Sequence, residues 1–246
     1  MRLDKYLAHA GLGTRKEVKL AIRKGRVSVN GEVCRKDDRK IQEGVDVVCL
    51  DKEEIYYEAV VYIMLNKPQD VVSATSDPTY ETVLDCIDAF LPKDCFPVGR
   101  LDMDTEGLLL ITNDGKLAHR LLSPKHHVEK TYLVDLAQPL QEGDQKKLEN
   151  GSIVLDEEPV LPARVEILED TQILLHIQEG RYHQVKRMLH AIGNEVVHLK
   201  RIAMGPLRLD EALASGEWRY LSEEEITALK LSLIHISEPT RRSYIS

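Results

Sequence analysis

The sequence is poor in aromatic residues, with two Phe, one Trp and nine Tyr in 246 positions. It contains no long apolar run. Its apolar runs, Leu108 to Ile111 among them, fall far short of the roughly 20 residues a membrane helix needs. The opening Met-Arg-Leu-Asp-Lys has no apolar signal-peptide core, which predicts a cytoplasmic protein. Cysteine is scarce: Cys34, Cys49, Cys86 and Cys95 are irregularly spaced and form no C-x-x-C pair. That pattern excludes a disulfide framework and a zinc finger, and predicts reduced thiols. Also missing are the Rossmann glycine fingerprint, the Walker loop and closely spaced metal-binding histidines. Redox, phosphoryl-transfer and metal-dependent classes therefore lose their usual signals, and no cofactor is expected.

What is present is charge, 30% of all residues, with a net of −8. The distribution matters more than the total. Residues 1–50 hold twelve Lys/Arg against seven Asp/Glu, a local excess of +5, so the remainder carries −13. A basic module on a more acidic body suits binding to a phosphate backbone, because the local field decides where a polyanion docks.

Within that module Leu3, Tyr6, Leu7 and Ala10 recur at helical spacing, and Gly11-Leu-Gly13 ends the helix. Thr14-Arg-Lys-Glu17 is a capping box opening a second helix. The apolar face of this helix is Val18, Ala21 and Ile22, and Gly25 closes it. Arg15, Lys16, Lys19, Arg23 and Lys24 occupy its other side. Val27 and Val29 then alternate into the tight-turn pair Asn30-Gly31, and a further strand is predicted over Val45 to Leu50. Residues 51–60 read as a charged linker.

From Val61 onward short apolar runs alternate with turns. Strands are predicted at Val61–Leu65, Val71–Val72, Leu108–Ile111, Tyr132–Leu136, Val165–Leu168 and Ile173–Ile177. Helices are predicted near Val83–Phe90, Leu117–Leu122, Gln141–Asn150 and Gln184–Ile192. The mixture is that of an α+β domain with a mixed, largely antiparallel sheet and flanking helices, over residues 61–231. Leu221 to Leu229 reads as a closing helix, while 232–246 lacks its periodicity and is expected to be a non-native or disordered tail.

The densest chemical signal is Pro97-Val-Gly-Arg-Leu-Asp-Met-Asp-Thr-Glu-Gly-Leu-Leu-Leu-Ile-Thr-Asn-Asp-Gly115, a carboxylate-bearing loop feeding an apolar strand. Asp102, Asp104, Glu106 and Gly107 imitate the start of a calcium loop, but Asn113 stands where a bidentate Glu is required and an apolar strand intervenes. The metal reading fails there. Asp104 and Glu106 are read as turn caps and partners of Arg100. His183 and His190 lie seven residues apart with no acidic third ligand nearby, so neither is assigned a metal.

Three ordered motifs carry a family resemblance: Gly99-Arg-Leu-Asp102 with the strand after it, Ser123 to Val134, and Glu179-Gly-Arg-Tyr-His-Gln-Val-Lys-Arg-Met-Leu189. Together they resemble the RsuA family of ribosomal RNA pseudouridine synthases. Residues 2–7, 13–17 and 25–31 resemble the RNA-binding module of the small-subunit ribosomal protein four type, the αL motif. The match covers about residues 1–230 and implies isomerisation of a uridine in ribosomal RNA. It implies Asp102 as the catalytic aspartate, Tyr132 as the platform for the target base, and Arg181 as the cation on that aspartate, with Arg100 and Lys130 as other basic candidates. His183, Gln184, Lys186 and Arg187 are expected to bind substrate, and Arg120, Lys125, His126, His127 and His190 to add charge to a phosphate cleft. Arg2, Lys5, Arg15, Lys16, Lys19, Arg23, Lys24 and Arg26 are expected to contact RNA phosphates. The chemistry suits the residues: an ionised carboxylate acts on the sugar, and an aromatic ring holds the unstacked base. The His-His-Val-Glu-Lys-Thr-Tyr run is most similar to the enzymes of small-subunit (16S) RNA. A large-subunit (23S) target, and a ribosome-assembly factor that only binds, remain alternatives. The expected partner is 16S RNA or a small-subunit assembly intermediate, and the expected state a monomer.

Overall fold

The computed structural model describes residues 1–42, 44–55, 60–89 and 91–232. The chain divides into two compact units, Met1–Val61 with Asp88–Phe96, and Tyr62–Ile87 with the residues from Pro97 onward.

In the first unit α1 (Leu3–His9) and α2 (Arg15–Arg23) precede β1 (Val27–Val29), β2 (Glu32–Val33), β3 (Val48–Leu50) and β4 (Glu53–Glu54). The capping box forms as expected, with Thr14 N–H donating to Glu17 Oε2 at 2.7 Å and Glu17 N–H donating back to Thr14 Oγ1 at 3.3 Å. Asn30 and Gly31 take φ of 54° and 81°, the left-handed pair that a tight hairpin turn requires. Leu3, Leu7, Val18, Ile22, Val27, Val29 and Val48 close a small core. The stretch expected to be a linker starts as structure: Asp51 and Lys52 turn the chain into β4, which pairs with β3 to complete a sheet of order β2-β1-β3-β4.

The second unit is α+β. It continues through β5 (Tyr62–Lys67), β6 (Phe96–Pro97), β7 (Glu106–Thr112), α3 (Gly115–Leu122), a 3-10 turn at Pro124–His126, β8 (Lys130–Leu136) and α4 (Asp144–Glu149). A hairpin of β9 (Val154–Leu155) and β10 (Glu158–Pro159) follows. Then come β11 (Arg164–Glu169), β12 (Gln172–Ile177), α5 (Gln184–Ala191), β13 (Val196–Met204), β14 (Leu207–Arg208), β15 (Trp218–Tyr220) and α6 (Glu223–Ser232). The main path of the sheet is β11-β12-β8-β13-β7-β5-β15. Its neighbours are antiparallel except β7 and β13, which run parallel. β5 is buried at every position, as is β7 after Glu106, because central strands covered on both faces lose the polar alternation of a half-exposed sheet. Among the described residues no helix is long and apolar enough to cross a membrane.

Gly107 sets how closely the parallel pair approaches. It lies opposite Arg201 with φ 102°, and a Cβ there would fall 2.3 Å from the Arg201 carbonyl oxygen. Only glycine lets β7 enter the sheet beside β13 directly after the 98–105 loop.

Three expectations need correcting. The helix over Val83–Phe90 does not form across its described residues, which are turns. Its backbone bonds are separate three-residue turns, Asp85 N–H to the Thr82 carbonyl at 3.0 Å and Ile87 N–H to the Leu84 carbonyl at 3.2 Å, while Val83 N–H is taken by the Val72 carbonyl at 3.0 Å. Phe90 itself lies outside the described residues. Val71–Val72 makes a single bridge, Val72 to Thr82, in place of a strand. β13, nine residues long, was not anticipated, because its buried face carries Leu199, Arg201 and Ala203 and so mixes charge into an apolar alternation. Of the expected tail, Ser232 ends α6 and residues 233–246 lie outside the described set.

Asp114 ties the start of α3 to the sheet. It caps the helix by accepting from Lys116 N–H at 3.1 Å and Leu117 N–H at 3.0 Å, and it also accepts from Tyr62 Oη at 2.8 Å. Partial burial pushes this carboxyl upward, but the Leu117, Tyr62 and Lys116 donors outweigh it and hold it below its ordinary value. Asp114→Ala is expected to lower the unfolding free energy by about 1–2 kcal/mol, measured by urea denaturation at neutral pH. A depressed folded pKa gives stability that is complete above the unfolded value and is lost as pH falls through the folded one. The gap between wild type and variant should therefore shrink in acid.

Candidate active site

The carboxylate singled out by its motif stands on a loop with a pinned backbone. Lys67, at the end of β5, is fully buried. Its Nζ donates to the carbonyls of Pro68 at 2.8 Å, Met103 at 3.2 Å and Thr105 at 3.0 Å. Ser73 Oγ donates to the Leu101 carbonyl at 2.8 Å and accepts from Leu101 N–H at 3.0 Å, and Asp70 N–H reaches the Met103 carbonyl at 2.9 Å. Residues on both sides of Asp102 are thus held by one segment, Lys67 to Ser73. Burial pulls the Lys67 ammonium down to about 8, opposed by the charges of Cys86, Asp104, Asp102 and Glu106, which leaves it a cation at neutral pH.

Asp102 itself is partly exposed and meets two basic side chains from the start of α5. His183 Nε2 lies 3.3 Å from Oδ1, and Lys186 Nζ lies 3.2 Å from Oδ2. Lys186 also bonds Asp104 Oδ1 at 2.5 Å. Burial alone would lower the Lys186 pKa, but Asp104 and Asp102 outweigh it and raise it above the ordinary value. Asp104 is held below its ordinary value, first through its hydrogen bond from Lys186.

Arg181 was expected on Asp102, and the structure corrects this. Its guanidinium donates to Glu179 at 3.2 Å and to the carbonyls of Leu155 at 3.0 Å, Glu158 at 3.2 Å and Pro159 at 2.7 Å. These acceptors leave it facing the β9–β10 hairpin. His183, in the left-handed conformation at φ 48°, turns the chain into α5 so that Lys186 takes the place beside the carboxylate. Gln184 supports that turn, accepting from Arg181 N–H at 2.9 Å and donating to Glu179 at 2.8 Å. A second correction concerns Asp104 and Glu106, expected to pair with Arg100. Asp104 pairs with Lys186, Glu106 lies 3.1 Å from His198, and Arg100 is exposed.

Behind Asp102 lies a cavity of about 330 Å³. Asp102, Lys130, Tyr132, His183 and Lys186 meet in its wall, and Arg100, Arg181 and Gln184 complete the set of expected residues that reach it. Arg187 does not. It forms a two-point ion pair with Asp156 at 2.9 and 2.6 Å, beside a neighbouring groove. Arg120, Lys125, His126 and His127 are likewise outside the cavity lining.

The cavity also contains a residue that sequence reasoning missed. Arg201 on β13 faces Tyr132 on β8 in the sheet register and is 3% exposed. Its Nε donates to the Leu108 carbonyl at 2.8 Å, whereas Nη2 is buried with no partner. An unsatisfied buried donor is costly, and this one belongs to a residue of the cavity wall. Burial, and then the charge of Arg201, pull the neighbouring Lys130 down to about 8, with Glu179 opposing. Lys67 was missed too, because in sequence it reads as an ordinary lysine at a strand end and only the sheet buries it.

In the first unit all the expected RNA contacts are exposed or partly exposed. Arg2 pairs with Asp4, Lys19 with Asp4 and Asp37, Arg23 with Asp37, and Arg26 with Asp51. Lys5, Arg15, Lys16 and Lys24 have no ion pair among the described residues.

The Lys67 anchor is open to test. Lys67→Met keeps length and removes the ammonium, leaving three carbonyls without their donor. The variant should lose about 1–3 kcal/mol of unfolding free energy, read by urea denaturation. Wild-type stability in this variant would show that the loop is held by other contacts.

Comparison with known proteins identifies the family. Residues 61–191 match the model of the RNA pseudouridylate synthase family, and residues 1–47 match that of the S4 domain. A ribosomal small subunit pseudouridine synthase A of Pasteurella multocida is 45% identical, with 92% of this chain and 98% of that protein covered. The enzyme of the same name from Escherichia coli is 43% identical over 93% of this chain and all of its own length. An uncharacterized RNA pseudouridine synthase of Bacillus subtilis is 47% identical over 93% of this chain and 98% of its own. A crystal structure of a pseudouridylate synthase superposes with a TM-score of 0.66 at 44% identity, covering 93% of this chain and 99% of that one. The chain belongs to the RsuA family of pseudouridine synthases and carries an N-terminal S4 domain.

Proposed function

We propose that this chain converts one uridine of small-subunit (16S) ribosomal RNA to pseudouridine, as a monomeric cytoplasmic enzyme, with Asp102 as the catalytic residue. The observation that carries the proposal is the placement of Asp102 on a pinned loop, between Lys186 and His183, at a cavity whose wall includes Tyr132, Lys130 and Arg201. The small-subunit target is supported by relatives from several bacteria that are named for that RNA.

The reaction breaks the bond from ribose C1′ to uracil N1, turns the ring, and forms a bond from C1′ to C5. The hydrogen on C5 leaves and N1 gains one, so product and substrate are isomers. The Asp102 carboxylate acts on the nucleotide at the sugar, Lys186 offsets its charge while it waits, and His183 flanks its other oxygen. Tyr132 offers a ring for the unstacked base. Arg201 and Lys130 present donors only, which suits a ring edged by two carbonyls and disfavours cytosine, whose amino group would meet donors. In the S4 domain Lys5, Arg15, Lys16 and Lys24 are available to phosphates, and binding through them weakens with salt.

The test is release of tritium from uridine labelled at C5 in small-subunit and large-subunit ribosomal RNA transcripts. Release from the small-subunit transcript is expected. Release from the large-subunit RNA alone would move the target, and none from either would remove the enzymatic reading. Asp102→Asn should bind the transcript but release nothing. Substantial turnover would mean that another group does the chemistry.

The pH profile gives a further check. Lys130 loses its proton near pH 8, so kcat/KM should fall as pH rises through about 8. Lys130→Arg stays charged and should make that fall shallower, leaving the part due to Lys67, whose ammonium is also drawn down to about 8. Superimposable profiles would show that the Lys130 charge plays no part.

A further inference from the structure

Tyr182 is 76% exposed, more than any other large hydrophobic side chain among the described residues. Its exposed ring is nevertheless held in place. The ring stacks on the His183 imidazole with centroids 3.8 Å apart and planes 17° from parallel. Its backbone carbonyl accepts from Arg187 Nη1 at 3.2 Å, and Arg187 is itself clamped to Asp156. The imidazole beneath the ring is the one whose Nε2 lies 3.3 Å from Asp102. A fixed aromatic surface therefore stands one residue away from the catalytic carboxylate, on the solvent side.

Positive charge continues outward from the same point. A groove of about 530 Å³ adjoins the cavity and shares His183 and Lys186 with it. Arg187 and His190 extend its lining. These four residues follow the i, i+3, i+4, i+7 spacing of a single helix face on α5. A carboxylate, Glu195, lines the far end. One exposed ring beside a run of basic side chains matches a single strand of nucleic acid, whose bases stack while its phosphates follow the charges.

We propose that Tyr182 is a stacking platform for a nucleobase flanking the target uridine, with the strand's phosphates running along the His183, Lys186, Arg187 and His190 face of α5. The inference rests on the uridine-isomerising reading and adds a specificity-determining residue to it. When one base leaves the stack, its neighbour loses a stacking partner. The Tyr182 ring, backed by His183, supplies a replacement next to the cavity. It thereby favours RNA in which the flanking base is free to stack there.

The experiment uses the full chain and the C5-tritiated small-subunit transcript, comparing Tyr182→Ala, Tyr182→Leu and Tyr182→Phe in steady state. A stacked base is worth about 5- to 150-fold in binding. Ala and Leu are therefore expected to raise KM by at least fivefold with kcat little changed, because binding lost equally from ground and transition states appears in KM. Phe keeps the ring and should recover the wild-type KM. Melting temperatures should be the same for all, given the exposure of the side chain. Leu behaving like Phe would show that an apolar contact suffices, and Ala behaving like wild type would show that no contact exists. Either result overturns the platform while leaving the enzyme reading intact. Absence of release from the wild-type protein would overturn both.

Discussion

The placement of Asp102 depends on one buried ammonium. Lys67 reaches out of the central strand β5 and gathers three carbonyls, two of them from the loop bearing Asp102. A carboxylate that must act at one atom of a flexible polymer gains from being held before the substrate arrives, since mispositioning costs rate steeply. Asp102 sits on a loop, yet its backbone is fixed to the sheet by Lys67, Asp70 and Ser73. Gly107 serves the same end, because its missing side chain lets the loop run straight into the parallel junction of β7 and β13. Arg201, on the facing strand of that junction, then reaches the cavity from the other side.

The charges around the site divide the work. Lys186 answers two carboxylates, Asp102 and Asp104, and both hold it charged. Asp104 takes part of the lysine's charge, so the ammonium steadies the catalytic group without being committed to it alone. Arg181, by contrast, is spent on Glu179 and three carbonyls of the adjacent hairpin segment. It shapes the wall of the cavity and the entry to α5. One arginine in a motif thus builds the cavity wall, while a lysine five positions later faces Asp102.

Much of this was legible in the residues. The capping box, the Asn30-Gly31 turn and the strands β8, β11 and β12 follow from local patterns that tertiary structure had no reason to override. Asp102 and Tyr132 were singled out through the family motifs that contain them, and both line one cavity. What escaped was non-local. Arg201 and Lys67 look like ordinary surface cations until the sheet buries them, and β13 was overlooked because a buried arginine interrupts its alternation. The partner of Asp102 was misassigned for a related reason. Spacing along the chain does not reveal that a left-handed residue at His183 rotates the start of α5. The pattern over Val83–Phe90 misled in the same way, because the Val72 carbonyl takes Val83 N–H and draws the segment into a bridge.

The claim at the centre is that the Asp102 carboxylate, as positioned here, performs the isomerisation on one uridine of small-subunit RNA. Modification mapping of ribosomal RNA from cells lacking this gene, complemented with either wild-type protein or Asp102→Asn, tests it most directly. The account predicts that one small-subunit pseudouridine disappears on deletion, returns with the wild type, and stays absent with the Asn variant. Its return with the Asn variant, or an unchanged map after deletion, would contradict the account.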